Sequence, residues 1–314
     1  MQPRMPDNRR LILVTGAPRS GTTAVGQMLS LAPGAGTLHE PFNFHSGLHH
    51  IGHYFEVPGS RSFSMAQLDQ TLEQIKNLQL VFKSGIFPSD QGWRRAVKYV
   101  AGGRPLNSYR RLRIQPSLRT IIWKDPLACF TADQVAKRHD VDVLVTVRSP
   151  WAVAASFKRM DWAFDLPDLT ARLKSGGIDL NGKLACRSDS LHPSVTNGTG
   201  LWNIIYPTLA RWAQMNQRIR FVNLDDVVGD PVATYARLYE LLALDWNGRI
   251  AAKIEKYYRQ ESPRSVPRAG KAHDSGRNVA EVNKYWRGYL TEPEKDFVAR
   301  ATEEQWSKFL RTCV

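Results

Sequence analysis

The sequence predicts an α/β fold: a doubly wound, mainly parallel central sheet flanked by helices. Three observations lead there. Strand-like apolar runs recur along the chain, helical patterns fill the spaces between them, and most of the runs are continuously apolar, as strands covered on both faces must be. With 314 residues and 42% hydrophobic content, the chain can fill one large core, and we expect one domain over residues 1–314.

The first run, "LILVTG" at 11–16, leads into the helical pattern "TTAVGQMLSLA". A second run, "LQLVFKSG" at 78–85, and a third, "RTIIWKD" at 119–125, read as further strands, the third followed by the helix "FTADQVAKRH". Then come "VDVLVTVR" at 141–148 with the helices "WAVAASFKRM" and "GLWNIIYPTLARWAQMNQ", and "IRFVNLDD" at 219–226 with the helix "VATYARLYELLAL". Parallel strands joined this way take right-handed crossovers, and ligands then sit beyond the carboxyl ends of the strands. Three segments fit neither pattern: 42–64, rich in His, Gly and aromatics; 175–199; and 260–283, polar and basic around Pro263 and Pro267. We expect them to be acceptor or lid loops.

Charge and cysteine usage narrow the function classes. Against 29 Asp+Glu stand 43 Lys+Arg, a net charge of +14 that favours anionic ligands. Three cysteines, Cys129, Cys186 and Cys313, with no CxxC pair, argue against a disulfide framework and a cysteine zinc site. There is no apolar stretch long enough for a transmembrane helix, and "MQPRMPDNRR" lacks the apolar core of a secretory signal, so a cytoplasmic protein is expected. Contact with an anionic membrane surface stays open, and nucleic acid is not the expected partner. His45, His49 and His53 would align on a helix face, but glycines interrupt the segment; no metal site is expected.

The chemistry concentrates at strand exits. Gly16, four residues, Gly21, then Thr22 and Thr23 follow the spacing of a Walker A loop, with Thr22 where lysine belongs and a cation, Arg19, inside the loop. A strand, a turn with exposed N–H groups and a helix N-terminus still make an anion cradle. Without the lysine, a γ-phosphate loses its main countercharge, which disfavours a phosphotransferase using ATP and Mg²⁺. In "VDVLVTVRSPWAVAASF" Arg148 ends a strand, Pro150 opens a helix and Ser156 lies within it. An arginine so placed can bind a phosphate bidentately, and the serine can add a bond.

The loop "APRSGTT" resembles the 5'-phosphosulfate loop of sulfotransferases that use 3'-phosphoadenosine 5'-phosphosulfate, whose fold is P-loop nucleotide-kinase-like. "VRSPWAVAASF" resembles their 3'-phosphate site, "IIWKDP" the Lys-x-Pro strand exit of the carbohydrate-type and bacterial members, and "NKYWRGYLTEPE" at 283–294 their C-terminal tryptophan segment. The resemblance implies that Pro18, Arg19, Ser20, Gly21, Thr22 and Thr23 hold the 5' end and Arg148 and Ser156 the 3'-phosphate. It implies that Lys124 stabilises the transferred group, and that Arg268, Lys271 or Arg277 in the basic loop meets the nucleotide. The implied product is the 3',5'-bisphosphate, and no metal is required.

Transfer to an alcohol also needs a base. "GTLHEPFNF" sets Glu40 before Pro41, which disfavours helix and predicts an extended Glu40 at an element end. Glu40 resembles the proposed base of the carbohydrate-type enzymes, while His39 competes, with an ordinary pKa nearer neutrality. Alternation along an extended chain would send the two to opposite faces. The expected activity is sulfuryl transfer to a hydroxyl of a carbohydrate or glycolipid-like acceptor. The rivals are an ATP-dependent kinase and a basic polyanion-binding protein with a vestigial nucleotide site.

Overall fold

Aliphatic and β-branched residues, buried on both faces, build the sheet. The computed structural model describes residues 9–84, 92, 103–180, 190–259 and 283–312. Its strands are β1 (Arg10–Thr15), β2 (Ala35–His39), β3 (Thr120–Lys124), β4 (Asp142–Val147) and β5 (Ile219–Asn223). The order is β2-β3-β1-β4-β5 and every pairing is parallel. Because β2 and β3 lie on one side of β1, and β4 and β5 on the other, the chain changes direction at β1. A ligand crevice therefore opens at its carboxyl end.

Helices of the described residues are α1 (Thr22–Leu29), α2 (Met65–Lys76), α3 (Arg104–Arg113), α4 (Ala132–Arg138), α5 (Pro150–Met160), α6 (Leu166–Ser175) and α7 (Pro193–Met215). They continue with α8 (Leu224–Gly229), α9 (Pro231–Leu241), α10 (Gly248–Arg259), α11 (Trp286–Tyr289) and α12 (Glu292–Thr312). Alternate strand residues feed two cores. Leu11, Leu13, Trp123 and Val145 pack with Phe157 of α5 and Trp202, Tyr206 and Leu209 of α7. Ile12, Val14, Ile122 and Leu144 pack with Val25 and Leu29 of α1 and Tyr235 and Tyr239 of α9. None of the described helices is long and apolar enough to cross a membrane.

Two sequence expectations need correction, and one strand joins the sheet that the sequence did not announce. The run at 78–85 is, over its described residues 78–84, not a sheet strand. Leu78 has φ +51°, the Leu80 N–H donates to the Tyr109 hydroxyl, and residues 81–83 pair with the turn around Leu48. Its place is taken by β2, whose "AGTLH" contains too little apolar side chain to announce a strand. The loop expected over 175–199 ends earlier, because α7 begins at Pro193, a proline in the first turn, with the His192 ring accepting from Ser194 N.

Irregular 42–64 is held firmly. Phe42, Leu48, Ile51, Phe55 and Phe63 are buried in the core. Arg172 donates to the carbonyls of Phe55 and Tyr54 at 2.6 and 3.0 Å, and Lys83 Nζ to those of Phe44 and Ile51 at 2.6 and 2.5 Å. His45, His49 and His53 do not share a helix face, since the segment is not helical. Among the described residues, no group of three or more His, Cys, Asp or Glu is arranged to hold a metal ion.

Candidate functional site

Left-handed backbone shapes the first loop. Gly16, Arg19 and Gly21 have φ of +138°, +75° and +91°, which turns the chain sharply between β1 and α1. At the two glycines no side chain is admissible: a Cβ on Gly16 would lie 2.4 Å from Thr146 O, and one on Gly21 2.7 Å from Leu224 Cδ1. Arg19 holds its left-handed geometry at a cost of about 1–3 kcal/mol, so tertiary bonds must fix it. They are present. Ser20 Oγ and Thr146 Oγ1 are 2.7 Å apart, the Ala17 N–H donates to the Tyr206 hydroxyl at 3.3 Å, and that hydroxyl donates to Thr146 O at 2.9 Å. Ser20 and Thr22 are buried, as is Pro18, whereas Thr23 is half-buried. The Ser20 hydroxyl thus braces the loop and its N–H donates to Ala17 O at 3.1 Å, which leaves the backbone N–H groups of Arg19 and 21–23 as the donors for a ligand.

Helix α1 fits an anion. Its N-cap is Gly21, no side chain caps it, and no acidic residue occupies its first turn. Arg148, directly after β4, meets this loop from the neighbouring strand. Its Nη1 donates to Arg19 O at 2.9 Å and its Nε to Asn283 Oδ1 at 2.9 Å. Asn283 in turn donates to Asp225 Oδ1 at 3.0 Å, and the buried Trp202 indole donates to Arg148 O at 3.1 Å. Arg19 Nε donates to Ser156 Oγ at 2.9 Å, with the guanidinium 5.7 Å above the Trp162 ring. The loop, Arg148 and Ser156 therefore form one connected constellation. Arg268, Lys271 and Arg277 lie outside the described residues.

A second constellation stands at the ends of β2 and β3. Lys124 pairs in register with Val14 on one side and His39 on the other, and its stem lies against Gly26 of α1. Its ammonium, only 2% exposed, forms an ion pair with Glu40 Oε1. Asn43 Nδ2 donates to Glu40 Oε2 at 3.2 Å, and His39 Nε2 lies 3.7 Å from Glu40 Oε1. Glu40 is not extended: its φ is +44°. Its N–H still donates to Lys124 O at 2.8 Å, continuing the β2–β3 ladder, and the chain then turns into Pro41. That turn is why His39 and Glu40 do not diverge as alternation predicts.

Burial opposes the Glu40 charge, but Lys124, beside it and bonded to it, prevails and holds the carboxyl down at about 2. His39 is pushed down to about 4 by burial and then by the Lys124 charge. Asp125, wholly buried, is pushed up to about 7 by burial and by the nearby Glu40 charge. It accepts from Phe42 N at 2.7 Å and Leu127 N at 3.0 Å. The pocket thus offers an ionised carboxylate, an ammonium and a neutral imidazole.

Residues 12–248 match the model of the sulfotransferase family. The chain belongs to that family. No curated protein matched this sulfotransferase in sequence. Solved structures similar to it include the sulfotransferase domain from the curacin biosynthetic pathway (14% identity, TM-score 0.45, covering 95% of this chain and 97% of that one). The sulfotransferase domain of the Synechococcus PCC 7002 olefin synthase gives 15%, 0.45, 97% and 97%. Mouse sulfotransferase SULT7A1, complexed with PAP, gives 14%, 0.42, 94% and 84%.

In this sulfotransferase four supporting residues escaped sequence reasoning. Thr146 and Tyr206 brace the loop, Asp125 ties the chain after Glu40, and Asn283 orients Arg148. Asp125 and Asn283 stand inside motifs that the sequence singled out. Thr146 and Tyr206 carry no local signal, because their role arises from contacts between distant segments.

Proposed function

We propose that this sulfotransferase moves the sulfuryl group from 3'-phosphoadenosine 5'-phosphosulfate to a hydroxyl of a carbohydrate or glycolipid acceptor. One observation carries the reading: two arginines from different strand exits, Arg19 and Arg148, are tied into one constellation with Ser156 at an uncapped helix N-terminus. A donor with phosphates at both ends of its nucleoside needs two anion sites, and this pairing suits it. A nucleoside triphosphate instead needs a lysine at position 22, which is a threonine.

Each residue then has a task. The N–H groups of Arg19 and of 21–23 hold the 5' end, with Pro18 and Ser20 shaping the loop, while Arg148 and Ser156 hold the 3'-phosphate. When bound, the donor supplies the sulfuryl group and a bisphosphate leaving group. Lys124 stabilises the negative charge that develops on the bridging oxygen. As Lys124 turns to that oxygen, Glu40 loses its counter-ion, its basicity rises, and it takes the acceptor's hydroxyl proton. His39, neutral beside it, orients the acceptor oxygen by a hydrogen bond. The protein's few cysteines support a cytoplasmic setting.

Titration calorimetry with 3'-phosphoadenosine 5'-phosphate tests the donor site. Metal-independent binding that weakens at least a hundredfold in Arg148→Ala is the expected result. Equal or better binding of ADP with Mg²⁺, indifferent to Arg148, would overturn it.

A further inference from the structure

Between Gln91 and Lys124 the sequence carries nine Lys and Arg residues and no Asp or Glu. Helix α3 supplies four of these arginines, Arg104, Arg110, Arg111 and Arg113, all exposed. Two hydrogen bonds fix how this helix lies. Ser108 Oγ accepts from His39 N at 2.9 Å, and Gln115 Nε2, just past the helix, donates to Ala35 O at 3.1 Å. Strand β2 runs from Ala35 to His39, so α3 lies antiparallel beside it, and its first turn stands at the end where Glu40 and Lys124 meet.

Arg104, Ser108 and Arg111 are spaced i, i+4, i+7 and so form one stripe, the one that touches His39. Along that stripe Arg104 and Arg111 are separated by about 10 Å of helix rise. Arg104 is near enough to His39 for its charge to help push the ring's pKa down. Among the described residues no ion pair neutralises Arg104, Arg111, Arg113 or Arg119. A run of exposed, uncompensated guanidinium groups thus leads to the base.

We propose that the acceptor is an acidic glycan, bearing carboxylate or sulfate groups, and that Arg104 and Arg111 form the track along which it reaches Glu40. This rests on the transfer reading above. Planar guanidinium forks match carboxylate and sulfate oxygens bidentately. An extended acidic peptide would instead seek a free sheet edge, but α3 covers the edge at β2 and takes up His39 N and Ala35 O. A membrane would need apolar side chains to insert, and among the described residues of α3 and its C-terminal end only Ile114 is a strongly exposed large apolar side chain.

The test uses the full chain and two probes, a chondroitin hexasaccharide and its carboxyl-reduced form, by calorimetry at low and physiological salt. Wild type should bind the charged form at least tenfold tighter than the reduced one. Arg104→Gln/Arg111→Gln should lose that preference, while Arg249→Gln/Lys253→Gln on α10, which removes the same charge elsewhere, should keep it. Equal losses in the two variants, or no preference in wild type, would overturn the track. So would tighter, Arg104-dependent binding of a poly-Glu peptide or of phosphatidylserine vesicles. Bisphosphate titrations of the same samples separate the two readings: normal bisphosphate binding without the glycan preference sinks the track alone, and absent bisphosphate binding sinks the transfer reading beneath it.

Discussion

Glu40 carries two local irregularities at once, a left-handed φ before a proline and an ion pair with a lysine that is 2% exposed. Such strain persists only where the surroundings over-determine it, and here the backbone bond to Lys124 O and the side-chain pair both do so. Glu40→Gln should lower kcat by about 10²- to 10⁴-fold, the usual range for a lost general base, while bisphosphate affinity stays within about twofold. His39→Ala should cost much less. The reverse order in steady-state kinetics would make His39 the base. Sequence brought Glu40, His39 and Lys124 forward as candidates but misjudged their geometry. Preference before proline is a local rule, and the bond that overrides it comes from residue 124.

Tyr206 shows how an element far along the chain disciplines the first loop. Its hydroxyl lies between the Ala17 N–H and Thr146 O, so α7, the loop after β1 and β4 meet at one oxygen. Tyr206→Phe would leave both backbone groups buried without this partner. We expect a loss of about 1–3 kcal/mol in urea unfolding, together with weaker bisphosphate binding. Unchanged stability would mean that the loop is held by its own turn geometry. At this scale the four long apolar runs that became β1, β3, β4 and β5 were readable, because a buried parallel strand must be apolar throughout. The short β2 was not, since its identity as a strand comes from pairing with β3. The run at 78–85 misled because Leu78 and Leu80 are buried by a turn and by α3 rather than by the sheet, while Val81 is exposed.

For the whole molecule, the three titratable groups at the strand ends make stability depend on pH in opposing senses. His39 falls from 6.5 to about 4 on folding, so its contribution is complete above 6.5 and is lost as pH falls toward 4. Asp125 rises from 3.8 to about 7; the folded state holds its proton more tightly, and that contribution is complete below 3.8 and lost as pH climbs to 7. Glu40 drops from 4.5 to about 2, a contribution lost only below 4.5. Between pH 4 and 6.5 the first two slopes largely cancel in the intact protein. Urea midpoints should reveal them separately: the gap between wild type and His39→Gln should widen as pH rises through that range, and the gap to Asp125→Asn should narrow. Parallel curves would show that neither group titrates as its burial requires. The fold class was legible at this scale because composition, run length and alternation all pointed the same way.

The bond between Arg148 and Asn283 has a consequence for how the protein comes into being. The five strands of the described residues have been synthesised once residue 223 emerges, yet the side chain that orients Arg148 follows only after roughly sixty further residues, a delay of several seconds at ribosomal rates. A nascent chain can therefore close its sheet and its first loop while Arg148 still lacks its brace. The orientation of Arg148 is thus settled only well after the sheet itself can close.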